Sequence, residues 1–370
     1  MKNILITGAK GFAGKNLTAL LKQDKELNLL LIDIENTEKE LEDYLEKADF
    51  IIHLAGVNRP KEEKEFEDGN YLFTKRIADL LIKKGKKAPV IMSSSIQAEL
   101  DNPYGKSKKE GEDALIEYGK RMKADVYIYR LPNLFGKWGK PNYNSAVATF
   151  CYNISRDIPI QVSSRDNIVE LLYIDDMMKE FSDVINGKKK YESYYYKIDK
   201  SYKKSLGEIV DLIYSFKKSR EERSVPDMSN EFVKKLYSTY LSYLPENQFS
   251  YPLKMNIDNR GSFTEFIRTI DRGQVSINVS KPEIVKGNHW HHSKNEKFLV
   301  VSGKGVIRFR KIGSEEVIEY KVSGDKLEVV DIPTGYTHNI ENLGDVDLVT
   351  VMWANEAFDP EKPDTFFEEV

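Results

Sequence analysis

The hydrophobic period of this chain changes once, near residue 250, and that change decides what it can fold into. Up to about residue 200, short apolar runs ("NILIT", "LNLLLID", "DFIIHLAG", "APVIMSSS", "DVYIYRLPN") alternate with helical stretches such as "EKELEDYLEKA" and "KRIADLLIKKG". That alternation predicts βαβ units and an α/β fold, a doubly wound parallel sheet with helices on both faces. Helical periodicity continues through "GEIVDLIYSF" and "FVKKLYSTYLSYLP" (232–245) and should stop at Pro245. Beyond "PENQFSYPLK" (245–254) the period is two: "GQVSINV", "KFLVVS", "GVIRFRK", "EVIEYKV", "KLEVVDI" and "DLVTVMW" alternate and are punctuated by glycine. These runs predict an all-β antiparallel sandwich or barrel. The expected domains are residues 1–245 and 246–370, and a chain of 370 residues with 40% apolar side chains can build two cores.

Charge excludes two classes of partner. With 56 basic and 59 acidic side chains the net charge is -3, and the runs at 83–87, 188–190 and 61–68 are short and offset one another. They read as solvated faces, so neither nucleic acid nor a membrane surface is expected as a partner. Cys151 is the one cysteine, which rules out an internal disulfide and suits a reducing compartment. No 18-residue apolar run and no signal-like N-terminus occurs, so a soluble, cytoplasmic protein is expected.

"TGAKGFAG" places Gly8, Gly11 and Gly14 at intervals of three between the first strand and the first helix. There Gly8 permits a tight turn, Gly11 lets a pyrophosphate approach the helix N-terminus, and Gly14 lets helix and strand pack closely. Asp33 closes the second strand, where a carboxylate can accept from a ribose hydroxyl and favour NAD. Lys10, inside the turn, could neutralise a 2′-phosphate and favour NADP, so the two residues point in opposite directions. Further on, "SSS" (93–95) ends an apolar strand and "YGKSK" opens a helix. On a helix Tyr104 and Lys108 share a face, and the ammonium should draw the phenol's pKa down toward the working range.

Taken in order, "TGAKGFAG", "HLAG" (53–56), "NYLFT" (70–74), "SSS", "YGKSK", "RLPNLFG" (130–136) and "YIDD" (173–176) resemble an extended short-chain dehydrogenase/reductase acting on nucleotide sugars. The resemblance implies a Rossmann-like sheet with Tyr104 as catalytic acid, Lys108 on the nicotinamide ribose, and Ser95 or Ser94 completing the triad. It also implies cofactor contacts at Phe12, Leu54 and Ala55 beside the glycine turn, and Asn133 toward the sugar nucleotide. Sugar-nucleotide dehydratases of this family carry an acidic pair after the triad hydroxyl. Here Ile96 and Gln97 stand there, which disfavours dehydration and leaves ketone reduction.

"KGNHWHHSKNEKFLVVSG" (286–303) holds three of the five histidines. On a strand His289 and His291 leave one face while Trp290 points the other way. With Glu296 and His338, from "PTGYTHNIEN" (333–342), they would suit a divalent first-row metal with open coordination positions. His292 is expected at the rim.

The spacings His289 to Gly303 and Pro333 to Asn342 resemble the two cupin motifs, although Glu283 and Leu327 stand where each motif usually opens with glycine. The resemblance implies a cupin jelly roll holding zinc foremost. A reductase followed by a cupin, with "RGSFTEF" (260–266), is similar end to end to bifunctional capsule-precursor enzymes. That likeness implies C3 epimerisation of a UDP-linked 4-keto-6-deoxy-N-acetylhexosamine and then C4 reduction with NADPH, NADH being the alternative, in a homodimer. The competing expectations are a cupin that only holds a structural metal or an interface, and a metal-dependent oxygenase cupin.

Overall fold

The computed structural model describes residues 1–269 and 271–370. The chain divides into two compact units, Met1–Tyr214 with Asn230–Glu246, and Ser215–Ser229 with Asn247–Val370.

In the first unit the strands are β1 (Lys2–Thr7), β2 (Leu27–Ile32), β3 (Phe50–His53), β4 (Val90–Ser95), β5 (Val126–Leu131), β6 (Asn133–Phe135), β7 (Ile168–Tyr173), β8 (Tyr195–Tyr196) and β9 (Ser201–Ser205). The main sheet is parallel, in the order β2-β1-β3-β4-β5-β8. Its order reverses at β1, between β2 and β3, and ligands of open α/β sheets bind at such a point beyond the strands' C-terminal ends. A second small sheet, β6-β7-β9, has no counterpart in the sequence reading.

Helices α1 (Phe12–Leu21), α2 (Glu38–Lys47), α3 (Lys64–Phe66), α4 (Phe73–Lys83), α5 (Pro103–Met122), α6 (Ala146–Ile154), α7 (Ile174–Ile185), α8 (Leu206–Glu222) and α9 (Glu231–Leu241) complete the order of elements. Alternate residues of β1 feed opposite cores. Ile4 and Ile6 pack with Leu17 and Leu21 of α1 and Phe181 of α7, while Leu5 packs with Leu45 of α2, Ile77 of α4 and Leu115 of α5. A sheet buried on both faces explains why these strands read as near-continuous apolar runs. Local signals set the helix starts. Thr37 and Glu40 form a reciprocal capping box at α2, and Asn102 accepts from the Gly105 amide at 2.8 Å with Pro103 at the first helical position of α5.

The second unit is antiparallel throughout its named strands: β10 (Asn256–Asp258), β11 (Gly261–Arg268), β12 (Gln274–Ser280), β13 (Val285–Trp290), β14 (Glu296–Ser302), β15 (Lys304–Lys311), β16 (Val317–Ser323), β17 (Val329–Ile332), β18 (Tyr336–Asn342), β19 (Leu348–Ala354) and β20 (Phe366–Phe367). They form two sheets, β10-β11-β12-β19-β14-β17 and β16-β15-β18-β13-β20, consistent with a jelly roll. Phe298, Val300, Ile307, Phe309, Ile340 and Leu348 fill the core between them. One strand inverts the usual rule. The fully buried residues of β12 are the polar Gln274, Ser276, Asn278 and Ser280, and its valines and isoleucine are only half-buried. Hydrogen bonds between Gln274 and Ser276 and between Asn278 and Ser280 meet the cost of that polar face.

Candidate functional site

The glycine turn is built by close approach. Gly8 has φ +66°, and a Cβ on it would lie 2.8 Å from the Ala55 backbone. A Cβ on Gly14 would collide with the Gly8 carbonyl oxygen, so α1 can start this close to β1 only without side chains. The backbone of Leu54 and Ala55 closes the other side, the Leu54 N–H donating to the Thr7 carbonyl at 3.2 Å. Phe12 is the first residue of α1. Such a cradle fits the pyrophosphate of a dinucleotide. Asp33 and Lys10 turn out to be bound to their surroundings: the Lys10 N–H donates to Asp33 Oδ2 at 2.6 Å, and the Lys10 ammonium pairs with Glu35 at 3.0 Å. Neither is aimed in a way that separates NAD from NADP.

His53, unremarked in the sequence beyond its motif, ties this turn to the Tyr–Lys helix. The Thr74 hydroxyl donates to the Asn70 carbonyl at 2.6 Å, so it accepts from His53 Nε2–H at 2.8 Å. Nδ1 therefore accepts from the Thr7 hydroxyl at 2.7 Å. Burial, with the Lys108 charge adding to it, pushes the ring's pKa down to about 3, so His53 stays neutral. Asn70 lies in a π-helical turn, Glu67–Leu72, and its amide bridges Val57 and Ser107. A Cβ on Gly56 would fall 2.8 Å from Asn70 Oδ1 and 2.9 Å from Lys108 Nζ, so a side chain there would displace both polar groups.

Tyr104 and Lys108 lie one turn apart on α5, as expected. Lys108 is buried and donates to the Ser93 carbonyl at 3.4 Å; burial pushes its pKa down to about 8, with Glu112 opposing. The Tyr104 hydroxyl donates to Asn58 Oδ1 at 2.9 Å. Its pKa is not drawn down, which corrects the sequence expectation. Burial raises it, and the group that counters is the Ser95 hydroxyl. Asn58, too, was missed by the sequence reading, because nothing in "HLAGVNRP" marks it.

The two candidate serines part company at the strand end. The Ser95 hydroxyl accepts from the Gln97 N–H at 3.2 Å and lies close enough to the Tyr104 phenol to counter the rise in its pKa that burial causes. Ser94 points the other way and donates to Glu112 Oε1 at 2.6 Å, inside a network in which Arg130 grips the fully buried Glu112 carboxylate at 3.0 and 2.7 Å. Asn133 donates to the Glu170 carbonyl at 3.2 Å and is exposed.

In the second unit a β-bulge makes the histidine cluster. Gly287 (φ +110°) and Asn288 (φ +58°) shift the register of β13, which sets His289 directly opposite His338 on β18. His291 follows the end of β13 and Glu296 opens β14. Ring centroids of His289 lie 5.0 Å from His291 and 4.6 Å from His338. One ligand atom from each of His289, His291, Glu296 and His338 lies within 4.8 Å of the others. Trp290 turns away and packs edge-on against His292 and at a tilt against Phe366, and His292 is exposed.

These groups fit a divalent cation. His291 Nε2, Glu296 Oε2 and both nitrogens of His338 are buried and have no hydrogen-bond partner among the described residues. The His291 and His338 Nε2 atoms stand 3.5 and 3.4 Å from Glu296 Oε2, too far for good hydrogen bonds. Two ligands at about 2.1 Å from a tetrahedral ion are separated by roughly 3.4 Å. Burial, then the two neighbouring imidazoles, lowers the His289 pKa to about 4, which keeps it in the metal-binding form. Burial alone would raise Glu296, but His291, His338 and Lys294 hold it well below the carboxylate range. His289, Glu296 and His338 line a cavity of about 580 Å³ together with Arg260, Lys286 and Lys294, and a cavity of this size takes a small-molecule ligand.

Residues 4–194 match the NAD dependent epimerase/dehydratase family. The chain belongs to that family. Residues 256–366 match the polysaccharide biosynthesis C-terminal domain. Over 98% of this chain and 97% of the relative, 43% of residues are identical to a UDP-2-acetamido-2,6-beta-L-arabino-hexul-4-ose reductase of Pseudomonas aeruginosa. The crystal structure of CapF from Staphylococcus aureus, a capsular polysaccharide assembling protein, covers the whole of both chains at 60% identity with a TM-score of 0.94. A UDP-glucuronic acid 4-epimerase of Bacillus cereus, solved with NAD, shares the fold of the first unit at 18% identity, covering 65% of this chain and 96% of its own, with a TM-score of 0.55.

Proposed function

We propose that the chain is a bifunctional nucleotide-sugar enzyme of capsule synthesis. The second unit epimerises C3 of a UDP-4-keto-6-deoxy-N-acetylhexosamine, and the first unit then reduces C4 with NADPH to UDP-2-acetamido-2,6-dideoxy-L-talose, a precursor of UDP-N-acetyl-L-fucosamine. The observation that carries the reading is the convergence of four metal-type donors, several without partners and three of them on the wall of a cavity, in a chain whose other unit has a dinucleotide cradle. The full-length likeness to the reductase of Pseudomonas aeruginosa and to CapF supports the substrate class, and family resemblance supports a homodimer.

In the first unit Tyr104 Oη gives its proton to the C4 oxygen as hydride arrives at the carbon, and NADPH supplies that hydride. The Ser95 hydroxyl orients the same oxygen, and the Lys108 ammonium stabilises the phenolate left behind. Ser94 holds Glu112 and so takes no part in the triad. In the second unit His289, His291, Glu296 and His338 would hold a divalent ion, zinc foremost, which would polarise the C4 ketone and so acidify the proton on C3. Epimerisation needs the ketone and reduction consumes it, so the C3 step comes first and the C4 step traps its product.

The test is the C3 configuration of the product after incubation of the purified protein with the 4-keto sugar and NADPH, read by NMR. An inverted C3 supports the two-step reading. A reduced sugar that keeps the original C3 configuration leaves a reductase alone.

A further inference from the structure

Resting on the metal reading above, the geometry points to Asp364, outside both histidine motifs, as the residue that positions His291 for the ion. We propose that the C-terminal segment is a strap whose Asp364 carboxylate fixes the loop that carries His291, while the same residue's main chain accepts from the ring.

His291 Nδ1–H donates to the main-chain carbonyl of Asp364, which leaves Nε2 as the nitrogen that faces Glu296. An outer partner on the far ring nitrogen is the usual device for orienting a metal-binding imidazole. The same residue's carboxylate takes up the turn that follows. Its Oδ1 accepts from the His292 N–H at 2.9 Å, and its Oδ2 accepts from the Ser293 N–H at 2.7 Å, the Ser293 hydroxyl at 3.0 Å and the Lys294 N–H at 2.8 Å. One side chain thus binds three successive amides between two of the candidate ligands, His291 and Glu296.

The strap is itself anchored where a flexible tail would not be. β20 pairs with β13 at His289 and Trp290. The Glu368 N–H donates to the Asn288 carbonyl at 3.0 Å, next to the bulge that aims His289. Thr337, beside His338, donates its hydroxyl to the Glu368 carbonyl, and Arg310 pairs with the Glu368 carboxylate at 2.9 Å. The last residues of the chain therefore touch the immediate neighbours of all three imidazole ligands.

The test compares wild-type full-length protein with Asp364→Ala, Asp364→Asn and Ser293→Ala, each stripped of metal. Zinc affinity is read by competition with a chromophoric chelator, and coordination by the visible spectrum of the cobalt-loaded forms. Asp364→Ala should bind zinc about 10–100-fold more weakly and shift the cobalt spectrum. Asp364→Asn keeps one acceptor for the amides and should recover part of the loss. Ser293→Ala, which removes one hydroxyl bond to the same carboxylate, should bind like wild type. Equal zinc affinity and an unchanged cobalt spectrum for wild type and Asp364→Ala overturn the strap's role while leaving the metal reading intact. A wild-type protein that binds no divalent ion overturns both.

Discussion

Replacing His338 by leucine separates a site built for a metal from a site whose polar groups satisfy one another. His338 is 1% exposed, touches Phe298 and Phe309, and has both ring nitrogens buried with no hydrogen-bond partner among the described residues. An unpaired buried polar atom costs about 1–3 kcal/mol, so leucine, of similar size, removes a penalty of about 2–6 kcal/mol. Glu296 Oε2 loses a neighbour at 3.4 Å, which returns about 1–3 kcal/mol, so on central values of about 4 against about 2 kcal/mol the metal-free variant should be about 2 kcal/mol more stable than metal-free wild type. With metal at 100 times its Kd, wild type should gain about 2.7 kcal/mol and the variant almost none. Urea unfolding followed by tryptophan fluorescence in a Trp138→Phe background reports on this unit, because the other two tryptophans, Trp290 and Trp353, both lie in it. A metal-free variant several kcal/mol less stable than metal-free wild type would refute the reasoning, since the ring would then be satisfied without an ion.

Three further outcomes follow from the first unit. Tyr104→Phe should lower NADPH oxidation by about 10²–10⁴-fold, measured at 340 nm, without loss of the fold. Ser95→Ala should lower turnover with little change in unfolding midpoint, whereas Ser94→Ala should cost about 1–3 kcal/mol of stability through the lost hydrogen bond to the buried Glu112 carboxylate, whose Oε1 keeps Arg130, and affect turnover less. The Lys108 ammonium, with its pKa pushed down to about 8, is charged below that value and neutral above it, so the reductive rate should fall as pH rises through about 8 in a pH–rate profile.

What the sequence made legible was chemistry tied to local backbone geometry. Gly8, Gly11 and Gly14 announce a strand-to-helix turn because Gly8 and Gly14 sit where a side chain would collide with backbone, and Tyr104 and Lys108 are one helical turn apart whatever surrounds them. The grouping of His289, His291 and Glu296 was readable because they stand within eight positions of one another, and His338, on another strand, entered through the spacing of its own motif. The choice between Ser94 and Ser95 was not readable: adjacent residues on a strand face opposite ways, and which way depends on the buried Glu112 and Arg130, reached only through the fold. Burial, not the neighbouring ammonium, dominates the Tyr104 phenol, and burial is a tertiary property. Asp364 stands 73 positions from His291 with no motif around it, so its hold on the ligand loop was invisible. In β12 the alternation was plain, but the buried set proved to be the polar one, because hydrogen-bonded side chains rather than an apolar core receive that face.

Exchange of the C3 proton measures the central claim directly. Purified protein is incubated with the UDP-linked 4-keto sugar in deuterated water without NADPH, as metal-loaded and metal-stripped samples, and deuterium at C3 is read by NMR. The account predicts incorporation by the loaded protein and its loss on stripping, with His289→Ala behaving like the stripped sample. A loaded protein that reduces the pre-epimerised sugar yet exchanges nothing at C3 would contradict it.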